Sequence, residues 1–164
     1  WYYADANGNV AKGFREMEGN WYYFDDLTGR QAKGAVQVNG QNLYFDVNSG
    51  IQVKGDFVTD GQGNTSYYDL NTGDKKVNGF FTTGDNTWYY ADSQGNLAKG
   101  RKTIDNQDLY FDLETGKQAK GQLISIDGRS YYFDGDTGNM AKNRFVRIGD
   151  QWIYFGNDGA AANL

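Results

Sequence analysis

The fold is decided by the stretch 21–34, which reads Trp21-Tyr22-Tyr23-Phe24-Asp25-Asp26-Leu27-Thr28-Gly29-Arg30-Gln31-Ala32-Lys33-Gly34. It joins an aromatic run to an Asp, a turn that ends in Gly, and a Lys that is followed by a second Gly. Aromatic runs favour β-strands, and turns that contain Gly favour hairpins. The stretch therefore predicts a short strand followed by a tight turn.

The same pattern returns along the whole chain, and one Tyr marks each copy. These residues are Tyr3, Tyr23, Tyr44, Tyr67, Tyr90, Tyr110, Tyr132 and Tyr154. A period of 20 to 23 residues is typical of a solenoid, whose units are too small to bury an apolar face alone. We therefore predict an all-β fold, a β-solenoid of stacked β-hairpin repeats.

The repeat also predicts the domain organisation. We expect residues 1–164 to form a single repeat array of about eight units. The chain begins at Trp1 inside one repeat and stops soon after Gly159 inside another. The terminal units are therefore expected to be truncated, and the chain to be a fragment of a larger protein.

Alternation along the aromatic strand divides its side chains between two faces. Successive residues point to opposite faces of a strand, so Trp21 and Tyr23 share one face while Tyr22 and Phe24 share the other. The Tyr23 position is Tyr in every unit, which predicts that it forms the solenoid core. The Trp21 position also accepts Asn, Thr, Asp and Ser, which predicts a cleft wall or a surface position.

A second variable position follows the turn. Three repeats place a Gln and a Lys two residues apart: Gln31 and Lys33, Gln52 and Lys54, Gln118 and Lys120. Residues two apart in a strand share a face, so we expect each pair beside the aromatic row. Gln donates and accepts hydrogen bonds and Lys donates them, which suits sugar hydroxyls beside a flat ring. The alternative interpretation is a solvated edge that discourages pairing between sheets.

Other repeats depart from this Gln-x-Lys pattern. Val10, Leu97 and Met140 stand in place of the Gln, and we expect pockets there to be altered or absent. In the fourth repeat we assign the position to Lys76-Val77-Asn78, and in the last repeat to Ala161-Ala162-Asn163.

Composition excludes several classes of function. The formal net charge is −5 and no basic block is present, which argues against nucleic acid and anionic membrane as partners. No apolar run approaches the ~18 residues of a membrane-spanning helix. The chain has no His and no Cys, so it lacks the usual nucleophilic dyads and zinc ligands. We expect no cofactor and no metal.

An Asp follows the aromatic run in seven repeats: Asp5, Asp25, Asp46, Asp69, Asp92, Asp112 and Asp134. Catalytic acids are usually unique, so we interpret this series as turn residues that accept backbone N–H groups. The segment 134–139 lacks the full ligand set of a calcium loop. The chain is therefore predicted to have no catalytic residues and not to be an enzyme.

The motif of residues 21–34, which returns at 109–121, resembles the cell-wall and choline-binding repeat superfamily. More closely, it is similar to the glucan-binding repeats of lactic-acid-bacterial glucansucrases of the dextransucrase type. The resemblance extends over the whole chain and implies a secreted protein, extracellular or cell-wall associated, with α-glucan pockets that combine a stacking Tyr with a Gln and a Lys. The implied site residues are Tyr23, Gln31, Lys33, Tyr44, Gln52, Lys54, Tyr110, Gln118 and Lys120.

The resemblance implies a non-catalytic module that binds dextran-like chains or isomalto-oligosaccharides and holds glucan near the catalytic domain of the same parent chain. Two alternatives remain open. A choline-binding module would anchor a protein to teichoic acid, with rings from Trp1, Trp88 and Trp152 around the ammonium, although a Lys in the pocket would repel that cation. The second alternative is a structural spacer or a receptor-binding repeat of the toxin type.

Overall fold

A computed structural model describes residues 1–162, and residues 163–164 lie outside the described part, including the predicted position at Asn163. Fourteen short strands form seven antiparallel hairpins, and no helix occurs among residues 1–162. The predicted all-β fold of repeated hairpins is confirmed. The strands are β1 (Gly13–Met17), β2 (Asn20–Phe24), β3 (Gly34–Val38), β4 (Gln41–Phe45), β5 (Asp56–Thr59), β6 (Thr65–Tyr68), β7 (Gly79–Thr82), β8 (Trp88–Ala91), β9 (Gly100–Ile104), β10 (Gln107–Phe111), β11 (Gln122–Ile126), β12 (Arg129–Phe133), β13 (Arg144–Ile148) and β14 (Gln151–Phe155).

The chain divides into two compact units. The first comprises Trp1–Asn78 with Ser93–Asn96, and the second comprises Gly79–Asp92 with the chain from Leu97 onward. The first unit holds the hairpins β1–β2, β3–β4 and β5–β6, and the second holds the other four. The single array over residues 1–164 stays a prediction.

Within each unit, successive repeats are joined by the main chain. After each hairpin the chain turns and returns as an isolated β-bridge, as in the pair Phe45 and Gln52. The backbone N–H of Gln52 then donates to the carbonyl oxygen of Trp21, in the preceding repeat, at 2.8 Å. The Gln-x-Lys segments therefore lie in these bridges rather than in a strand. This joint places the Trp21 position of one repeat beside the Gln position of the next.

The bridge in the fourth repeat corrects one assignment. Tyr68 pairs with Lys75, and the N–H of Lys75 donates to the carbonyl of Asn42 at 2.9 Å. The position that holds Gln in other repeats therefore begins at Lys75, and the predicted segment Lys76-Val77-Asn78 is displaced by one residue. The turn before it has the same length as in the second repeat, so the sequence alone contained the correct register.

The core lies mainly on the face of the strand that carries Phe24, although Tyr23 also joins a core cluster with Leu43 and Phe45 of the next repeat. The equivalents Phe45, Phe111, Phe133 and Phe155 are all 0% exposed. At the invariant Tyr position only Tyr23 and Tyr67 are buried, and the others are half-buried or exposed. The prediction that this Tyr forms the core is therefore wrong for most repeats. A phenol needs a polar partner when it is buried, whereas Phe does not.

The Asp series closes the turns, as predicted. The Asp25 carboxylate accepts the N–H groups of Leu27 at 2.9 Å and Thr28 at 2.8 Å. Equivalent bonds are made by Asp5, Asp46, Asp69, Asp112 and Asp134. The interpretation of these six residues as turn residues is confirmed.

These turns predict a fold that loses stability in acid. The N–H of Thr72 is the largest of several contributions that lower the pKa of Asp69 to about 2. A carboxylate with a depressed folded-state pKa stabilises the fold above its unfolded pKa of about 3.9, and that contribution disappears as pH falls through the folded pKa. We expect the thermal midpoint, followed by circular dichroism, to hold from about pH 7 to 5 and to fall between about pH 4 and 2. Asp69→Asn should flatten part of that fall, and an unchanged profile would contradict the assignment.

Candidate binding pockets

The first pocket, called the Trp1 site, lies in the first unit. Its cavity has a volume of about 580 Å³ and contains all three predicted residues of its repeat, Tyr23, Gln31 and Lys33, together with Trp1 from the preceding repeat. The N–H of Gln31 donates to the carbonyl of Trp1 at 2.7 Å. The Lys33 Nζ lies 5.5 Å from the centroid of the Trp1 ring, which is within cation–π range.

The same arrangement occurs in the second unit and is called the Trp88 site. A cavity of about 490 Å³ is lined by Trp88, Tyr110, Gln118 and Lys120. The N–H of Gln118 donates to the carbonyl of Trp88 at 2.8 Å, and the Lys120 Nζ lies 5.2 Å from the centroid of the Trp88 ring. The structure thus brings together the predicted residues of this repeat and adds one Trp.

A third copy, the Trp21 site, lies in the first unit. The N–H of Gln52 bonds to the Trp21 carbonyl, and the Lys54 Nζ lies 5.6 Å from the centroid of the Trp21 ring. Tyr44 of the same repeat lies with its ring centroid 5.7 Å from that of Tyr68. Every predicted Gln-x-Lys pair therefore has the Trp of the preceding repeat beside it.

Sequence reasoning predicted a cleft wall or a surface position for Trp21 and its equivalents, but it did not assign them to the Gln-x-Lys pair of the following repeat, although the chain carries the signal. Each Gln-x-Lys pair follows a repeat that has Trp two residues before its Tyr. In the other repeats the Trp position is occupied by Asn42, Thr65, Asp108 or Ser130. The Gln position of the repeat that follows each of these is occupied, in the same order, by Lys75, Leu97, Met140 or Ala161. Trp1 and Trp88 belong to repeats whose own pockets were predicted to be altered or absent, and their rings line the site of the repeat that follows.

The Gln side chain in two of the sites lines the pocket and also bonds to the next repeat. The Gln31 Nε2 donates to the carbonyl of Ser49 at 3.3 Å, and the Gln118 Nε2 donates to the carbonyl of Thr137 at 3.4 Å. Gly50 has a φ of 78°, which favours Gly, and a Cβ there would displace the Gln31 amide from this contact. One N–H of each amide therefore joins the repeats. The amide oxygen and the second N–H remain as polar groups for a ligand.

Both signs of charge line the two cavities. Asp25 lines the Trp1 site beside Arg30 and Lys33, and Asp112 lines the Trp88 site beside Lys117 and Lys120. The backbone N–H groups of the following turn residues lower the pKa of both carboxyls, so each is ionised at neutral pH. Each cavity thus combines a flat ring with one anionic acceptor and two cationic donors. Such walls suit a neutral ligand with many hydroxyls better than a cation.

A further cavity, in the second unit, shows what happens when the Trp is absent. About 590 Å³ in volume, it is lined by Asp108 at the Trp position and Met140 at the Gln position. Lys142, which corresponds to the Lys over the ring in the other sites, instead forms an ion pair with Asp108. This hydrogen bond and that of the Thr103 hydroxyl lower the pKa of Asp108. We call this space the Asp108 cavity, and it lacks the flat wall of the three Trp sites.

Stacked hairpins with pockets shared between neighbouring repeats define a repeat-type binding module. A family model for the choline-binding repeat matches residues 32–80 and 98–145, more than half of the chain. A second model, for cell wall binding repeats, matches residues 12–26, 78–97 and 143–161. The chain therefore belongs to the choline-binding repeat family. Repeats of this family are non-catalytic binding modules for cell-wall material, which places them outside the cell or in its wall.

Solved structures carry the same fold. Choline binding protein F from Streptococcus pneumoniae is 27% identical with a TM-score of 0.79, over 99% of this chain and 54% of that one. The choline-binding domain of CbpL from the same organism is 26% identical with a TM-score of 0.60, over 93% of this chain and 78% of that one. Alternansucrase in complex with isomaltononaose is 28% identical over 98% of this chain and 14% of that one, but its TM-score of 0.44 carries no structural argument.

These likenesses confirm the predicted β-solenoid class. The chain spans about half the length of choline binding protein F. No curated protein matches it. Among residues 1–162, no helix is both long enough and apolar enough to cross a membrane.

Proposed function

We propose that the chain is a non-catalytic module that binds α-glucan, such as dextran or isomalto-oligosaccharides, through the Trp1, Trp21 and Trp88 sites. It acts outside the cell, and in its parent protein it holds glucan near a catalytic domain of the glucansucrase type. The resemblance of the repeats to those of glucansucrases supports this parent. The arrangement of the sites supports the ligand.

The observation that carries the proposal is the repeated meeting of one Trp with one Gln-x-Lys pair. A pyranose offers an apolar C–H face and a rim of hydroxyls. The indole ring can support the face, while the Lys ammonium and the Gln amide can bond to neighbouring hydroxyls. Asp25 and Asp112 add acceptors in the Trp1 and Trp88 sites. A neutral sugar therefore finds a partner for each part of its surface.

Several weak sites on one chain suit a polymer better than a single sugar. When one site holds the polymer, the next binding event becomes intramolecular, and avidity can exceed single-site affinity by about 10²–10⁴. The Trp1 and Trp21 sites lie in the same unit and in consecutive repeats. We therefore expect dextran to bind much more tightly than isomaltose.

Choline is the second candidate, and family membership is the observation that favours it. A quaternary ammonium would sit over the face of an indole ring. In this chain that position is taken by the protein's own cation, since the Nζ atoms of Lys33, Lys54 and Lys120 lie 5.2 to 5.6 Å from the ring centroids. Choline would have to displace an ammonium of the same charge, so the geometry favours a neutral ligand.

Native gel electrophoresis with and without dextran tests the proposal. The chain is expected to be retarded by dextran, and choline chloride in the gel is expected not to relieve the retardation. The triple variant Lys33→Met, Lys54→Met and Lys120→Met should bind about tenfold more weakly at each site, because each loses a charge-assisted hydrogen bond.

A matched control is Lys142→Met, which removes the equivalent Lys from the Asp108 cavity. It should leave retardation unchanged. Normal mobility in concentrated dextran, together with a tryptophan fluorescence change on adding choline, would replace the proposal with a choline-binding module. No response to either ligand would favour a structural spacer.

A further inference from the structure

The loop that leads into Trp88 is longer than the turn that leads into Trp21. Strands β7 and β8 are joined by the five residues Thr83–Thr87, whereas β1 and β2 are joined by Glu18 and Gly19 alone. Two residues of the longer loop, Asn86 and Thr87, line the Trp88 cavity. The loop thus gives this site polar wall residues that the short turn cannot supply.

Hydrogen bonds hold the loop in shape. The Asp85 carboxylate accepts the Thr83 hydroxyl at 3.0 Å and the backbone N–H of Thr87 at 3.2 Å. Asn86 has a φ of 61°, a left-handed conformation that Asn tolerates better than most residues. Its side chain is exposed to solvent. The loop therefore holds the backbone of Asn86 at the wall of the cavity and leaves its amide exposed to a ligand.

We propose that Asn86 forms an additional subsite, which lets the Trp88 site hold a longer stretch of α-glucan than the Trp21 site holds. This inference rests on the function proposed above. A glucosyl unit on the Trp88 ring would use Lys120 and Gln118. Asn86 lies two residues before Trp88, so their backbones are at most about 7 Å apart, which is on the scale of one hexose. Its amide can both donate to and accept from the hydroxyls of the adjoining glucosyl unit.

The chain allows the Trp88 site to be measured alone. It contains four Trp residues, so a background with Trp1→Ala, Trp21→Ala and Trp152→Phe leaves Trp88 as the only fluorescent indole. The same changes remove the rings of the other two sites. Titration with methyl α-glucoside and with isomaltotetraose then compares a single glucosyl unit with a longer α-1,6-linked ligand at one site.

Two substitutions test the contribution of the Asn86 amide while keeping the conformation of the loop backbone. Asn86→Gly keeps the left-handed φ without strain, and Asn86→Asp keeps the shape of the side chain but removes its N–H donors. We expect both to weaken isomaltotetraose binding by about three- to tenfold, as for the loss of one hydrogen bond, and to leave the binding of methyl α-glucoside unchanged. Gln62→Gly, in the five-residue loop between β5 and β6, should change neither.

The unliganded emission spectrum and the thermal midpoint show whether each variant keeps its fold. Equal weakening of methyl α-glucoside and isomaltotetraose binding, or no weakening of isomaltotetraose binding, would overturn the subsite. If neither sugar changes Trp88 emission in the background chain, the α-glucan assignment fails first and the subsite fails with it. Weakening of the tetrasaccharide alone is the expected result.

Discussion

Replacing Trp1, Trp21 and Trp88 together by Ala is expected to abolish retardation of the chain in dextran. Each ring supplies the apolar wall of one site, and covering an aromatic side chain is worth about 1.5–3 kcal/mol. Loss of one ring should therefore weaken a site by roughly tenfold to a hundredfold. Because linked sites reinforce one another, the loss over three sites should exceed that at any single one. Gel mobility against dextran concentration measures it.

The fourth tryptophan provides the matched control. Trp152 is 66% exposed, and no Lys lies over its ring among the described residues. Trp152→Ala should therefore retain dextran binding. A triple Trp variant that keeps its circular dichroism spectrum and is still retarded would show that the rings are not the binding walls.

Restoring a Trp and a Gln to the Asp108 cavity is expected to create a fourth glucan site. Asp108→Trp supplies the missing ring, Met140→Gln supplies the amide, and Lys142 is already present. Removal of Asp108 frees Lys142 from its ion pair, so its ammonium can lie over the new ring as Lys120 does over Trp88. Isothermal titration with isomaltotetraose should report one more bound ligand per chain than in the parent sequence.

Each half of that change provides a control for the other. Asp108→Ala opens the cavity without supplying a ring and should add no binding site. Met140→Gln alone should also add no binding site. If the double variant folds normally but binds no additional ligand, a Trp with a Gln-x-Lys pair is not sufficient for binding. The three natural sites would then depend on a further group.

The sequence predicted the repeat, the hairpins and the turn role of the Asp series because each is a local property. The interval between Tyr residues, the Gly turns and the aromatic runs all act within about 20 residues. The same local reasoning placed the Tyr of every repeat in the core and was wrong for most repeats, although Tyr23 and Tyr67 are buried, because alternation separates two faces without saying which one is covered. The polar partner of a phenol, such as Asp26 for the Tyr23 hydroxyl at 3.1 Å, is visible only in the structure.

The composition of the sites was predicted in part. Tyr, Gln and Lys of one repeat are neighbours in sequence, and their grouping follows from the motif. Trp1 lies 32 residues before Lys33, and the bond between the Gln31 N–H and the Trp1 carbonyl joins the two repeats that hold them. A bond between main-chain atoms can be made by almost any residue type, so it cannot be predicted from the residues at those positions. The sequence nevertheless shows that a Trp occurs one repeat before each Gln-x-Lys pair.

The joint between repeats also bears on how such arrays change over generations. The same N–H to carbonyl bond is made by Gln, Lys, Met and Ala at the joining position, because it involves no side chain. A gene segment that encodes one repeat can therefore be duplicated, deleted or moved without breaking the joint. What changes is which Trp becomes adjacent to which Lys. Recombination alone could thus create or silence binding sites, with no point mutation in any of them.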